Sequence, residues 1–167
     1  MTDKRKAIVT GAASGIGAAT LLELARTGYD VVGLDVNEGG VQQVAQRANG
    51  LGARSLGLGV DVADEAALVA AFTRACDWLG GLDALATCAG VADTTPFMDI
   101  TVDMFREVYA VNVIGTFLCL REAARHMQPG GRICTVASVA GLRGGGLSGT
   151  AAYAASKGGV LALTKNA

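Results

Sequence analysis

Tyr153 and Lys157 stand four residues apart in the run Ala151-Ala152-Tyr153-Ala154-Ala155-Ser156-Lys157. That spacing sets a phenol and an ammonium group side by side on one face of a helix. A phenol ionises near pH 10 in water, so bringing it into use as a proton donor and acceptor at neutral pH costs roughly 4 kcal/mol. A fixed cation one helical turn away can supply much of that. The same spacing also fits an exposed Tyr and Lys without chemistry, so the other end of the chain has to decide.

There, a strand reading over Lys6-Ala7-Ile8-Val9-Thr10 runs into Gly11-Ala12-Ala13-Ser14-Gly15-Ile16-Gly17 and then into an Ala/Leu-rich helix pattern through about Arg26. A strand, a glycine turn and a helix N-terminus in that order make a phosphate site, because free amides and the helix dipole point at an anion. Gly11 permits the tight turn, Gly15 lets a pyrophosphate approach the backbone, and Gly17 lets the helix pack closely on the strand. Asp35 closes the second strand reading, where a carboxylate can accept both hydroxyls of an adenosine ribose and repel a 2′-phosphate. Neither Ser14 nor Val36 offers a cation to offset that repulsion, so NAD is expected over NADP. Asp35-Val36-Asn37 also reads as a turn. Asp61, after the third strand, either accepts from an adenine amino group or helps start the next helix.

Bulk properties exclude other classes. The chain has 167 residues, 51% hydrophobic and 17% charged, enough for one globular domain with a sizeable core. The net charge of -1 and scattered basic residues give no electrostatic stripe for nucleic acid, and no segment has the apolar length of a membrane span. Met1-Thr2-Asp3-Lys4-Arg5-Lys6 has the charge of a signal-peptide start, but Gly11 interrupts the apolar stretch, and a cytoplasmic protein is expected. Cys76, Cys88, Cys119 and Cys134 form no C-x-x-C pair and His126 is the single histidine, so no metal site is expected and the thiols read as small buried hydrophobes.

Strand readings over Asp30 to Asp35, Ser55 to Val60, Leu82 to Thr87 and Arg132 to Val136 follow the first. Helices are expected from Glu38 to about Asn49, from an Asp64 cap to Trp78 or Leu79, from Asp103 to Met127 with a break near Asn112, and from about Ala151 onward. Five short apolar strands separated by helices imply right-handed crossovers and an α/β, doubly wound parallel sheet covered on both faces. Residues 1–167 then form a single dinucleotide-binding and catalytic domain.

Thr10-Gly11-x-x-x-Gly15-x-Gly17, Asp35, Asp61-Val62, Ala89-Gly90, Asn112, Ser138 and Tyr153-x-x-x-Lys157 together resemble the motif set of the classical short-chain dehydrogenase/reductases, in order and over the whole length. The resemblance implies a Rossmann fold and an NAD(P)-dependent oxidoreductase that interconverts a secondary alcohol and a ketone. It implies that Gly11, Ser14, Gly15, Ile16, Gly17, Asp35, Asp61, Val62, Ala89 and Gly90 line the cofactor. Ser138 would hydrogen-bond the substrate oxygen and Tyr153 would exchange a proton with it. Lys157 would lower the tyrosine pKa and bond the nicotinamide ribose, and Asn112 would hold a water of a proton relay. It also implies a homodimer or homotetramer built through the helix containing Phe117-Leu118-Cys119-Leu120 and the one from Ala151.

Three departures stand against the family pattern. Thr87-Cys88-Ala89-Gly90 replaces two asparagines before Ala-Gly. The interval from Ser138 to Tyr153 is long and carries Gly144-Gly145-Gly146 and Gly149. The chain ends inside the Tyr153 helix, so a truncated chain lacking the C-terminal strands is expected, with the fifth strand as an open sheet edge. Two further readings stay open: a non-catalytic dinucleotide-binding fragment, and an NADPH-dependent 3-oxoacyl-carrier-protein reductase. Leu142, Leu147 and Phe97 suggest apolar substrate walls.

Overall fold

Successive residues of a strand face opposite sides of a sheet, and here both sides are apolar. In β1 (Lys6–Thr10), Ala7 and Val9 pack with Leu21, Val31, Val41 and Val44, under α1 (Gly15–Arg26) and α2 (Glu38–Asn49). Ile8 points the other way, into a cluster with Val32, Leu34, Leu68, Phe72, Leu85 and Leu118 under α3 (Glu65–Leu79) and α5 (Thr116–His126). A strand buried on both faces reads as a continuous apolar run, which is why the short runs of the sequence are strands. The computed structural model describes residues 4–145 and 150–167. Met1-Thr2-Asp3, Gly146, Leu147 and Gly149, all used in the sequence reading, lie outside the described residues.

β2 (Asp30–Asp35), β3 (Ser55–Gly59), β4 (Leu82–Thr87) and β5 (Met127–Thr135) complete a five-stranded sheet in the order β3-β2-β1-β4-β5. Every described pairing is parallel. The expected doubly wound α/β fold is present. Strand order reverses between β1 and β4, and the crevice outside the carboxyl ends of those strands is where such sheets bind ligands.

Several boundaries differ from expectation. β5 begins at Met127, because Leu82 pairs with Met127 before a bulge brings Ala84 opposite Arg132. Pro129-Gly130-Gly131 reads as a loop, but a strand edge at a bulge tolerates proline and glycine. The expected break near Asn112 is a π segment, Ala110–Gly115, inside one continuous helical run from α4 (Val102–Tyr109) into α5. Thr116 Oγ1 donates to the Asn112 carbonyl at 2.7 Å. A short α6 (Ala140–Arg143) precedes α7 (Ala151–Asn166). Cys76 and Cys119 are buried as expected, whereas Cys134 on edge strand β5 is exposed. Among the apolar residues assigned to an oligomer interface, Leu118, Cys119 and Leu120 are in the core of this chain, while Phe117 is 44% exposed beside Ile114 at 50%.

Candidate active site

At the carboxyl ends of β1, β2 and β4 lies a cleft of about 430 Å³ lined by Gly11, Ser14, Gly15, Ile16, Gly17, Asp35, Asp61, Val62, Ala89 and Gly90, together with Val36, Val60, Cys88, Val91 and Val111. Its tight turn is built by contact. Gly11 has φ +65°, and a Cβ there would sit 2.6 Å from the Ala89 backbone nitrogen. A Cβ on Gly17 would collide with the Gly11 carbonyl. Gly15, at φ +51°, has open space where a side chain would be.

Helix capping separates α1 from α2, α3 and α4. α2, α3 and α4 are capped by the side chains of Asn37, Asp64 and Thr101, which accept from Gly40, Ala67 and Met104 amides. Ser14 at the start of α1 is extended and makes no side-chain cap. The first-turn amides of α1 therefore keep their donor capacity and the dipole its positive end, the chemistry an anion requires.

Asp35 holds the rim. Oδ2 accepts from the Ala13 amide and Oδ1 from the Asn37 amide, both at 2.9 Å, so the turn reading is realised together with a place on the cleft wall. A carboxylate has about four lone-pair sites, so two remain for hydroxyl donors. The glycine cradle, the uncapped α1 and this acid together fit a dinucleotide. Asp61 Oδ1 accepts from the Ala63 amide, making a turn before Asp64, while its residue still lines the cleft.

The turn after β4, where Thr87-Cys88 stand in place of two asparagines, is tied to β1. Thr10 Oγ1 accepts from the Ala89 amide at 3.2 Å, and the Thr10 carbonyl accepts from the Cys88 amide at 3.2 Å. The Thr87 hydroxyl is buried without a protein partner among the described residues.

Lys157 Nζ lies 5.8 Å from the centroid of the Tyr153 ring and donates to the Val136 carbonyl at 2.8 Å. Burial holds the Lys157 ammonium below the usual lysine range, partly offset by the Cys88 thiol. Gly90 sits between two polar groups: a Cβ there would be 3.2 Å from Asn112 Oδ1 and 3.4 Å from Lys157 Nζ. Asn112, fully buried, accepts from the Val91 amide at 2.8 Å and donates to the Val91 carbonyl and to Ser156 Oγ, each at 2.9 Å. Ser156 Oγ in turn donates to the Tyr153 carbonyl at 2.7 Å. Ser138 Oγ accepts from the Ala140 amide at 3.1 Å just before α6, leaving its own hydrogen to donate. α6 rests on α7 through Gly141, where a Cβ would come 2.6 Å from the Gly158 nitrogen.

Sequence reading passed over Ser156, although position i+3 from Tyr153 lies on the same helix face. It also passed over Thr10 Oγ1 and the Val91 backbone. A larger concavity of about 530 Å³ follows the outer edge of β3 between α2 and α3, lined by Gln42, Gln46, Asn49, Ala67 and Arg74 among others, without converging reactive groups.

Residues 5–167 match the family described as short chain dehydrogenase. The chain is similar to a cis-4-hydroxycyclohexanecarboxylate dehydrogenase of Sinomonas cyclohexanicum, 40% identical over 167 residues, covering 98% of this chain and 66% of that protein. It thus spans just under two thirds of that relative. Among solved structures, a short chain dehydrogenase from Burkholderia cenocepacia in complex with NADP superposes with a TM-score of 0.92 at 34% identity, covering 97% of this chain and 66% of that one. NAD+-bound xylitol dehydrogenase gives 0.92 at 32%, covering 99% and 65%. With a matching family model over nearly its whole length and the fold of these relatives, the chain belongs to the short chain dehydrogenase family.

Proposed function

We propose that the protein is a nicotinamide-dependent oxidoreductase interconverting a secondary alcohol and a ketone, with residues 1–167 forming its dinucleotide-binding and catalytic domain. The observation that carries this reading is the Lys157 ammonium beside the Tyr153 ring, on a helix fixed through Asn112 to the loop that lines the cleft. Gly11, Ser14, Gly15, Ile16, Gly17, Asp61, Val62, Ala89 and Gly90 hold the dinucleotide, and the Asp35 carboxylate takes the adenosine ribose hydroxyls, favouring NAD. When bound, the nicotinamide supplies the hydride donor or acceptor. Ser138 donates to the substrate oxygen and orients it. Tyr153 gives its proton to that oxygen in reduction and takes one in oxidation. Lys157 stabilises the phenolate that this exchange creates, while Asn112 orders the loop beside it.

The substrate is a small alcohol with an apolar body. Phe97 and Met98, 75% and 87% exposed, and Leu142 offer apolar surface on the segments after β4 and β5. A homodimer or homotetramer fits the exposed Ile114 and Phe117 on the π segment and α5. No described helix is long and apolar enough to cross a membrane.

The test is a screen of secondary alcohols and ketones with NAD(H) and NADP(H), in the whole protein, following nicotinamide absorbance. Turnover with NAD(H) on at least one cyclic or branched secondary alcohol is expected. Dinucleotide binding with no turnover across the set would overturn the reading.

A further inference from the structure

Thr150 occupies the N-cap position of α7, yet its hydroxyl makes no cap to the helix, and the first turn of α7 carries no acidic residue. A Thr in that position normally accepts from a first-turn amide. Here Thr150 Oγ1 donates instead to the Asp93 carboxylate, Oδ2, at 2.8 Å and to the Asp93 carbonyl at 3.2 Å, while the Thr150 amide donates to that carbonyl at 3.1 Å. The other Asp93 oxygen accepts from the Thr95 amide at 3.1 Å. Asp93 thus brings to the start of α7 the negative charge that the helix lacks.

Two residues before Asp93, Val91 is held on both its amide and its carbonyl by Asn112, and Asn112 reaches Ser156. One short loop, 91–93, is therefore tied to α7 at two points, directly at Thr150 and through Asn112 at Ser156. Those points lie three residues before and three residues after Tyr153. Five of these hydrogen bonds involve side chains, so the two ends of the Tyr153 turn are tied to this loop by specific polar groups as well as by packing.

We propose that Asp93 is a positioning residue for the Tyr153 phenol, its carboxylate pinning the first turn of α7, through Thr150, to the loop that Asn112 pins at the other end. This rests on the dehydrogenase reading for its consequence in turnover, but the pinning itself does not. The Thr150 hydroxyl and then Thr95 hold the Asp93 carboxyl below the usual aspartate range, in keeping with a carboxylate held as an acceptor. Because Asp93 touches the α7 start and not the glycine cradle, its loss is expected to spare dinucleotide binding.

Two readouts separate the possibilities. In the whole protein with NAD bound, hydrogen exchange at the Thr150 and Ala154 amides, which donate to the Asp93 and Thr150 carbonyls, is expected to speed up about tenfold in Asp93→Ala and in Thr150→Val, as loss of one charge-assisted hydrogen bond predicts. The double variant is expected to exchange no faster than either single one. Asp93→Asn and Thr150→Ser, which keep an acceptor and a donor, are expected to stay within about threefold of the parent. With a substrate in hand, Asp93→Ala is expected to lower kcat about tenfold while leaving the NAD dissociation constant within about twofold. Unchanged exchange at the start of α7 in Asp93→Ala, multiplying effects in the double variant, or a kcat equal to the parent's would overturn the proposal. If the parent itself turns over no alcohol, the dehydrogenase reading fails and the exchange measurement alone decides the role of Asp93.

Discussion

At the start of α1 the chain is held by backbone contact, with Gly17 against the Gly11 carbonyl and Gly11 against the Ala89 backbone. At the start of α7 it is held by side chains, Thr150 on Asp93 and Asn112 on Val91 and Ser156. Both helices lack a side-chain cap, for different reasons. The first-turn amides of α1 are left without a side-chain acceptor, as the proposed anion site requires, and α7 gives its capping hydroxyl to a neighbouring loop. Packed backbone cannot shift by small steps, so the cradle is stiff and intolerant of any added atom. A hydrogen-bonded helix end can be tuned one group at a time, which suits the proposed role of α7 in aligning reacting atoms.

The largest effect is expected from breaking the backbone side of this contrast. Gly17→Ala puts a methyl group into the Gly11 carbonyl, and a destabilisation of about 3 kcal/mol is expected from overpacking. Urea unfolding measures it, and dinucleotide binding should be lost with it. Asn112→Ala attacks the side-chain network, leaving the Val91 amide and carbonyl and the Ser156 hydroxyl without this partner; about 2 kcal/mol is expected in the same assay. An Asn112→Ala variant as stable as the parent would mean that the loop and α7 are held by other contacts. Asp35→Ala removes the carboxylate proposed to accept the ribose hydroxyls and to repel a 2′-phosphate, and the ratio of NADP to NAD affinity should rise about tenfold by calorimetry. A ratio that does not move would place the 2′ position elsewhere.

The smallest effect is a labelling contrast. Burial pushes the Cys76 thiol up to about 11 and Cys119 to about 12, and it also raises Cys88, which lines the cleft. Since the thiolate is the nucleophile, reaction of the two deeper thiols with a maleimide at pH 8 should be slower than that of a free thiol by on the order of a hundredfold or more, and should speed up tenfold for each further pH unit until their pKa is reached. Bound NAD should slow labelling of Cys88 and leave the rate at Cys134 unchanged, as mass spectrometry of peptides would report.

What the sequence made legible follows the same division between local and distant contacts. β2, α2 and β4 run over the residues expected, and Asp64 caps α3, because short apolar runs and capping chemistry are written within a few adjacent residues. The glycine turn was legible for the same reason. The early start of β5 was not, since Pro129-Gly130-Gly131 carries turn chemistry and only pairing with Leu82 makes it strand. Of the π segment a break near Asn112 was legible, but not its π geometry, in which Gly115 lies close against Val62. The bonds from Thr10 to Ala89 and from Asp93 to Thr150 join residues 79 and 57 positions apart, and a single sequence contains no local trace of such pairs. Residue types that can do chemistry were readable, while the groups that aim them came only with the fold.

Replacement of Tyr153 by Phe in the whole protein, with NAD binding and turnover measured on the same preparation, tests the assignment of acid–base work to this phenol most directly. Turnover is expected to fall at least about a hundredfold, as loss of a general acid–base predicts, with the NAD dissociation constant within about twofold of the parent. Turnover kept within a few-fold, or binding lost in step with turnover, would contradict it.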